Sequence, residues 1–487
     1  MSVSLVMIVR DEADNLRAAL ESVKGVGLDE IVVVDTGSID DTRAVATSCG
    51  AKVFDFAWCD DFSAARNEAI RHAHGDWIFW MDADDRLPPS SKEPLTRLLR
   101  SLGDENAGYL MTVSCPGPDG GPMFELLHVR LFRNRPEVRW VRRVHEQIAI
   151  AVQRAGGELR PTGVQIVHVG YVARGARERK MERNLRLVEI ELAEQPFDPF
   201  LLETRATTLL GLDRSAEALV ALSWCGAAPL GSATGRNLAA LTIEALVQEE
   251  RLDDALEAAR DGLRRSPRDA KLCFLEAQLL AAMGWLVEAE VAARAHLIVG
   301  EEHPQLACAD RSIFAFRVRH LLAEVLLRLG RGVEAEEEAR AAVAARPSFG
   351  AAWLTLGDAL LAQGRALEAL ALGDGWGVSR EADVGRAIVR ARVCVREARC
   401  EDAVRMVDAA LVAAPGHPMA LGAWAEALHA AGFRGPGFDE VLQAALRTDR
   451  LSIRLRAIER AVRPPVGAAR HVRLAERADT ALGPLLP

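Results

Sequence analysis

Ile31-Val32-Val33-Val34-Asp35-Thr36-Gly37-Ser38-Ile39-Asp40-Asp41-Thr42 is the stretch that decides the fold class. Four β-branched residues in a row suit a strand buried on both faces, as in a parallel sheet. The strand ends on an acid, and Gly37-Ser38 turns the chain into a helix over residues 42–49, with Gly50 in the C-terminal cap place. The same grammar continues on both sides. Upstream, residues 3–9 are a short apolar run, and Arg10-Asp11-Glu12 opens a helix whose apolar face is Leu16, Ala19, Leu20 and Val23, spaced by three and four. Downstream, residues 52–56 read as a strand, 63–73 as a helix and 77–81 as a fourth strand. Repeated β-α-β units imply an α/β domain with a mainly parallel, Rossmann-like sheet and right-handed crossovers.

From about residue 184 the strands stop, and an Ala- and Leu-rich helical pattern takes over. A Gly-Arg-x-x-Glu-Ala element and its variants recur: Asp213-Arg214-Ser215-Ala216-Glu217-Ala218, then copies beginning at Glu250, Gly284, Gly330, Gly364 and Ala398. Their final alanines fall at 218, 255, 289, 335, 369 and 403, in steps of 37, 34, 46, 34 and 34. A helix-turn-helix period of about 34 residues is that of tetratricopeptide repeats. Ala352-Trp353-Leu354-Thr355-Leu356-Gly357-Asp358-Ala359-Leu360 fits the first helix of such a repeat. A generic helical bundle has no reason to hold that step. The expected organisation is an α/β domain over residues 1–175 and an all-α repeat solenoid over 176–487, whose concave face is open to a partner.

Composition sets outer limits. A net charge of −9 and a pI near 5.8 argue against a nucleic-acid partner. No apolar run reaches the ~18 residues of a transmembrane helix, and the first residues carry no basic leader. The eight cysteines are scattered, without a CxxC pair or zinc-like spacing, which is the usage of a reducing compartment. A cytoplasmic protein is expected.

Two acidic sites lie where an open α/β sheet receives ligands, beyond the carboxyl ends of its strands. Asp35 follows the second strand; Asp82, Asp84 and Asp85 follow the fourth, in Met81-Asp82-Ala83-Asp84-Asp85. Carboxylates crowded on one turn repel one another unless a cation holds them, and hard oxygen ligands suit magnesium or manganese together with substrate phosphates. The plain alternative is a solvated acidic turn. The Walker loop, the GxGxxG turn, the GxSxG elbow and CxxC are all missing from the sequence. Gly117-Pro118-Asp119-Gly120-Gly121-Pro122 reads as a turn-rich connection or a lid.

Residues 3–90 resemble the family 2 glycosyltransferases of GT-A fold. The likeness runs through the Arg10-Asp11-Glu12 opening, Val34-Asp35-Thr36-Gly37-Ser38, Asp61-Phe62-Ser63-Ala64-Ala65-Arg66-Asn67, and Gly75-Asp76-Trp77 leading into Asp82-Ala83-Asp84-Asp85, in that order. With a repeat tail, the chain is similar to the peptide S-glycosyltransferases of the sublancin type, to bacterial family 2 enzymes with tetratricopeptide tails, and to lipopolysaccharide-core glucosyltransferases. The resemblance implies a nucleotide-sugar donor, UDP-linked by family habit, and a divalent cation, Mn or Mg. It implies that the backbone of Val9, Arg10, Asp11 and Glu12 lines the base, and that Asp35 bonds the base or ribose. Asp82 and Asp84 fit the DxD motif, with Asp84 the direct metal ligand, Asp82 nearer the ribose and Asp85 behind them. Arg66 reaches the nucleotide or its phosphates, or else makes a helix-surface ion pair. In Arg139-Trp140-Val141-Arg142-Arg143-Val144-His145-Glu146-Gln147, Glu146 follows a strand-like run and is the candidate general base, or the partner of Arg142 or Arg143. His168, in Ile166-Val167-His168-Val169-Gly170-Tyr171, is a candidate metal or diphosphate ligand, or a core histidine. The arginines from 130 to 143 suit diphosphate charge.

The reaction implied is inverting transfer of a sugar to a peptide or protein held by the repeats. A lipid or saccharide acceptor, or a scaffold with a silent domain, are the alternatives. The repeats could also serve to form a homo-oligomer or to brace the first domain.

Overall fold

The computed structural model describes residues 1–116, 122–169, 174–225, 233–302, 316–376 and 379–462. The loop 117–121 and residues 170–171 of the histidine segment lie outside the described residues. The chain forms two compact units, Met1–Ala228 and Pro229–Pro487.

In the first unit, β1 (Val3–Val9), α1 (Ala13–Ser22), β2 (Glu30–Asp35), α2 (Thr42–Ser48), β3 (Lys52–Asp55), α3 (Phe62–His72) and β4 (Trp77–Trp80) alternate as expected. There follow β5 (Asp85–Arg86), α4 (Pro89–Ser101), β6 (Ala107–Pro116), β7 (Pro122–Arg133), α5 (Ala149–Arg154) and β8 (Glu158–His168). Three helices complete the unit: α6 (Arg174–Glu194), α7 (Pro199–Gly211) and α8 (Ser215–Ser223). The last strand thus ends close to the expected boundary, while the compact unit runs on to Ala228.

The eight strands form one sheet in the order β3-β2-β1-β4-β7-β6-β8-β5. The first four are parallel; β7 then runs antiparallel to both β4 and β6, so the sheet is mixed beyond its first four strands. Side chains alternate between two cores, as strand geometry demands. Leu5, Met7 and Val9 pack with Leu16, Leu20, Trp77 and Phe79 on one face. Val6, Val32 and Val34 pack with Ile70, Ile78, Trp80 and Trp140 on the other. The strand-like run around Trp140 is not a strand. It makes one isolated bridge, Val141 to Gln147, because Arg142 and His145 take positive φ values of 84° and 54° that no ladder accepts.

The second unit is helical: α9 (Ala233–Gln248), α10 (Leu252–Arg265), α11 (Ala270–Met283), α12 (Leu286–Glu302), α13 (Phe316–Arg328), α14 (Gly332–Ala345), α15 (Gly350–Ala362), α16 (Ala366–Ala371), α17 (Arg380–Arg396), α18 (Cys400–Ala413), α19 (Pro418–Ala430), α20 (Pro436–Thr448) and α21 (Ile453–Val462). The recurring element is the joint inside each pair. Its first residue is left-handed in every copy, with φ of 56° at Asp213, 59° at Glu250, 87° at Gly284, 76° at Gly330, 77° at Gly364 and 59° at Ala398. The next residue donates its N–H back to the fifth residue before it, as Arg331 does to the Leu326 carbonyl at 2.9 Å, which closes the preceding helix in a Schellman turn. In the five copies that carry an arginine, it then pairs with the acid three residues on, for example Arg331 with Glu334 at 2.6 Å and Arg365 with Glu368 at 2.7 Å, while the Gly284 copy has Trp285 in that place. The closing alanines are at most 1% exposed, which lets neighbouring helices approach closely. Among the described residues no helix is long and apolar enough to cross a membrane.

Candidate active site

Where β4 ends, the chain makes a turn from Asp82 to Asp85, and the two-residue β5 pairs antiparallel with the end of β8, placing Asp85 opposite His168. This register brings a late histidine to the acidic turn. Asp85 is fully buried, and its carboxylate organises the turn. Oδ2 accepts from the Asp82 N–H at 2.9 Å and from Arg130 Nη1 at 2.7 Å, and Oδ1 lies 3.0 Å from His168 Nδ1. Arg130 is itself buried, with its guanidinium 3.8 Å from the centre of the Trp80 ring. It is therefore engaged inside the protein, unlike the phosphate-facing arginine expected of that segment.

Asp84 lies 3.4 Å from His168 Nδ1. Burial and the neighbouring Asp82 charge push the Asp84 carboxyl up to about 6. Burial also opposes ionisation of Asp82, but Arg66, Arg130 and His168 outweigh it and hold that carboxyl far below its usual range. Burial works against charging His168 too, and Asp85, Asp84 and Asp82 overcome it and raise the ring's affinity for a proton. Asp82, Asp84, Asp85 and His168 each offer one ligand atom, all within 4.8 Å of one another. The set fits a hard divalent cation: three carboxylates and an imidazole converge, and Asp84 is short of positive charge.

Arg66 ties this turn to the candidate base. It projects from α3, whose N-terminus is capped by Asp61 accepting from the Ala64 N–H at 2.9 Å. Its Nη2 donates to Asp82 Oδ1 and its Nε to Glu146 Oε1, both at 2.8 Å. The guanidinium sits 4.4 Å from the Trp80 ring centre and 5.1 Å from that of Trp140. Burial disfavours its charge, yet Asp82 and Glu146 more than restore it. Arg66 is thus neither a surface ion pair nor directly open to a nucleotide.

Glu146 pairs with Arg66, while Arg142 and Arg143 turn to the helices that follow the sheet. Arg142 reaches Glu191 at 3.1 Å and Asp198 at 2.7 Å; Arg143 reaches Glu194 at 2.8 Å, and its N–H donates to Glu191 Oε2 at 2.8 Å. Val144 packs with Leu187 and Val188 of α6. The sequence reading missed this support, because no spacing links residue 142 to residue 191.

The second group of expected residues lies at the neighbouring strand ends. Asp35, 2% exposed, accepts from the Ser38 N–H at 3.2 Å and from Arg43 Nη1 at 3.3 Å. Arg43 also pairs with Asp55 at the end of β3. Val9 stands beside Asp35 in register. After Arg10, Asp11 takes a φ of 53°; its N–H donates to Ser38 Oγ at 2.9 Å, and its Oδ1 accepts from the Ile39 N–H at 2.8 Å. The Glu12 N–H donates to Thr42 Oγ1 at 2.8 Å. The two loops are therefore laced into one rim. Glu12 also accepts from Asn15, and Asn15 accepts from Arg86, whose guanidinium holds the Ala83 carbonyl at 2.9 Å. That chain of bonds runs from the rim to the acidic turn.

Residues 4–141 match the family described as glycosyl transferase family 2. The first unit thus carries a family 2 glycosyltransferase domain over those residues. A TPR repeat-containing protein of Synechococcus elongatus is 43% identical over 207 residues, which are 41% of this chain and 50% of that one. The SPbeta prophage-derived glycosyltransferase SunS of Bacillus subtilis is 27% identical over 217 residues, 44% of this chain and 50% of SunS. The chain thus spans half the length of these relatives. Among solved structures, a tetratricopeptide repeat protein from Parabacteroides merdae aligns with 56% of this chain and 94% of its own at a TM-score of 0.39 and 13% identity. The family 2 match stops at residue 141, so Glu146, His168 and the α6 contacts lie beyond it.

Proposed function

We propose that the chain is a metal-dependent, inverting glycosyltransferase that moves a sugar from a nucleoside diphosphate sugar, UDP-linked in the first instance, to a peptide or protein held by the repeats. The observation that carries this reading is the bonded path from the cation-ready cluster through Asp82 and Arg66 to Glu146. Asp84, with Asp82 and His168, would hold a divalent ion, which supplies charge against the leaving diphosphate. Asp85 and Arg130 fix the turn so that Asp84 presents its carboxylate. Glu146 takes the acceptor proton at Oε2, the oxygen that Arg66 does not hold. Arg66 sets the distance between that base and the donor end of the site. Asp35 and the rim formed with Val9, Arg10 and Glu12 take the nucleoside. The described cysteines are all free thiols, consistent with work in the cytoplasm.

The test is turnover of UDP-hexoses with and without excess chelator, followed by Glu146→Gln. Chelation should abolish hydrolysis and transfer, and Asp84→Ala should do the same. Glu146→Gln should keep donor affinity while transfer slows by about 10² or more. Full activity in chelator rejects the metal. A Gln variant with weakened donor binding and intact turnover moves Glu146 to the nucleotide side.

A further inference from the structure

Within the second unit, the last helix among the described residues does not continue the stack. The turn after α20 carries Arg450, and α21 then runs back across the first helices of earlier pairs. Arg450 Nη1 donates to the Gln248 carbonyl at the end of α9, 3.1 Å away. Arg454 bonds Asp358 of α15 and lies 3.8 Å from Glu426 of α19. Arg460 donates to the Ala282 carbonyl of α11. These partners are 202, 96, 28 and 178 residues away in sequence, and all belong to the first helices of their pairs. A stacked array offers an extended concave surface, and we take the row of first helices that α21 crosses to be that face. Ile453 and Leu455 are each 3% exposed, so α21 is seated, not merely adjacent.

The seat is made for a cation but is loosely filled. Asp358 and Glu426 share Arg392, at 2.6 and 3.1 Å, and Arg454 enters between them as a second guanidinium. Beside Arg454 lies a cavity of about 300 Å³, walled by Leu361, Ile388 and Val395 together with these charged groups. A second, of about 150 Å³, opens beside it between His320, Leu354 and Leu455. Both open to solvent, so room remains in the groove beside the seated helix. A segment with bulkier apolar side chains around the same arginine would fill them and keep the ion pairs.

We infer that α21 is a built-in, displaceable occupant of the concave groove, and that the groove's external ligand is a polypeptide segment presenting an arginine to Asp358 and Glu426. This rests on the reading of the array as a polypeptide-binding surface. Mutating α21 in the full chain opens the groove, and the chain's own segment then serves as the probe.

The experiment uses a fluorescent peptide of residues 449–462 and the full-length protein. Arg454→Ala with Arg460→Ala should bind the peptide at least tenfold more tightly than the wild type, whose groove is filled. Adding Asp358→Asn and Glu426→Gln should remove that gain, as should a probe with leucine in the position of Arg454. Equal binding to wild type and double variant overturns the inference. Should the double variant lose helicity, hydrogen exchange on the wild type decides: amides of α21 should exchange at least tenfold faster than those of α15 and α19, and equal protection makes α21 a fixed part of the core. Neither readout involves the donor or transfer, so failure here leaves the catalytic proposal standing, and loss of catalysis leaves this inference standing.

Discussion

A guanidinium enclosed by two carboxylates and two indole rings is a poor place for any other group. Removing Arg66 leaves Asp82 and Glu146 facing each other in a part-buried site, and breaking such a pair from one side typically costs about 3–5 kcal/mol. Asp82 is 29% exposed, which moves the expectation to the low end. Arg66→Met should lower unfolding stability by about 3 kcal/mol, and Glu146→Gln in the same chain should recover part of it; a loss below about 1 kcal/mol in denaturant titration would mean that Arg66 is not the link described. Asp84 makes the opposite kind of claim. Its carboxyl is raised from 3.8 to about 6, so the folded protein holds that proton more tightly than the unfolded chain does. Stability from this group is full below pH 4 and is lost as pH rises through 6, by up to about 3 kcal/mol without metal. In chelator, Asp84→Asn should therefore gain melting temperature over the wild type between pH 4.5 and 7. Adding Mn should reverse the order at pH 7, and a constant difference across that range would rule the effect out. Motif order brought Asp84, His168 and Glu146 forward as candidates, and the structure gathers His168 with Asp84 and links Glu146 to Asp82 through Arg66. The partners of Arg66 and Arg130 were not legible in the sequence, because pairing across 80 and 45 residues depends on which buried charges meet in the folded sheet.

The joint inside each helix pair shows how a short motif specifies an element. The left-handed residue ends one helix, the arginine-acid pair starts the next, and the alanine sets the close approach. Glycine serves the first position in three copies, while Asp213, Glu250 and Ala398 carry a Cβ there. A left-handed backbone costs an L-residue about 1–2 kcal/mol, partly offset by glycine's greater freedom when unfolded. Ala398 is exposed, so no packing is lost with its methyl group. Ala398→Gly should stabilise the protein by about 0.5–1 kcal/mol. Gly330→Ala, at φ 76° with open space where its Cβ would lie, should destabilise it by a similar amount. Opposite signs in matched thermal melts support the joint as drawn; the same sign for both refutes it. The 34-residue step made these joints readable in sequence, and the 46-residue step did not hide them because the motif survives on both sides. Helix α21 was not readable. It carries no copy of the motif, and its partners lie outside any period.

At the scale of the whole chain, the question is where the catalytic part ends. Motifs alone place that end near residue 175, after the last strand. The contacts argue for a later one. Glu191 on α6 is 5% exposed and holds both the Arg142 side chain and the Arg143 N–H, three residues before Glu146. Asp198, which caps α7, takes the other end of Arg142, and Arg186 of α6 pairs with Asp60 just ahead of α3. The left-handed turns at Arg142 and His145 are strained without such partners. A fragment of residues 1–175 should therefore lose donor hydrolysis, although it contains every motif and every candidate ligand. A fragment of residues 1–228 should retain it to within about threefold, since the cluster, Arg66, Glu146 and their supports all lie inside that unit. If the repeats deliver the acceptor, the longer fragment should still lose at least tenfold in transfer to the native polypeptide, with transfer to water unchanged. Hydrolysis by the 1–175 fragment at the full-length rate would make α6 and α7 dispensable to the site. Undiminished polypeptide transfer by the 1–228 fragment would confine acceptor recognition to the first unit.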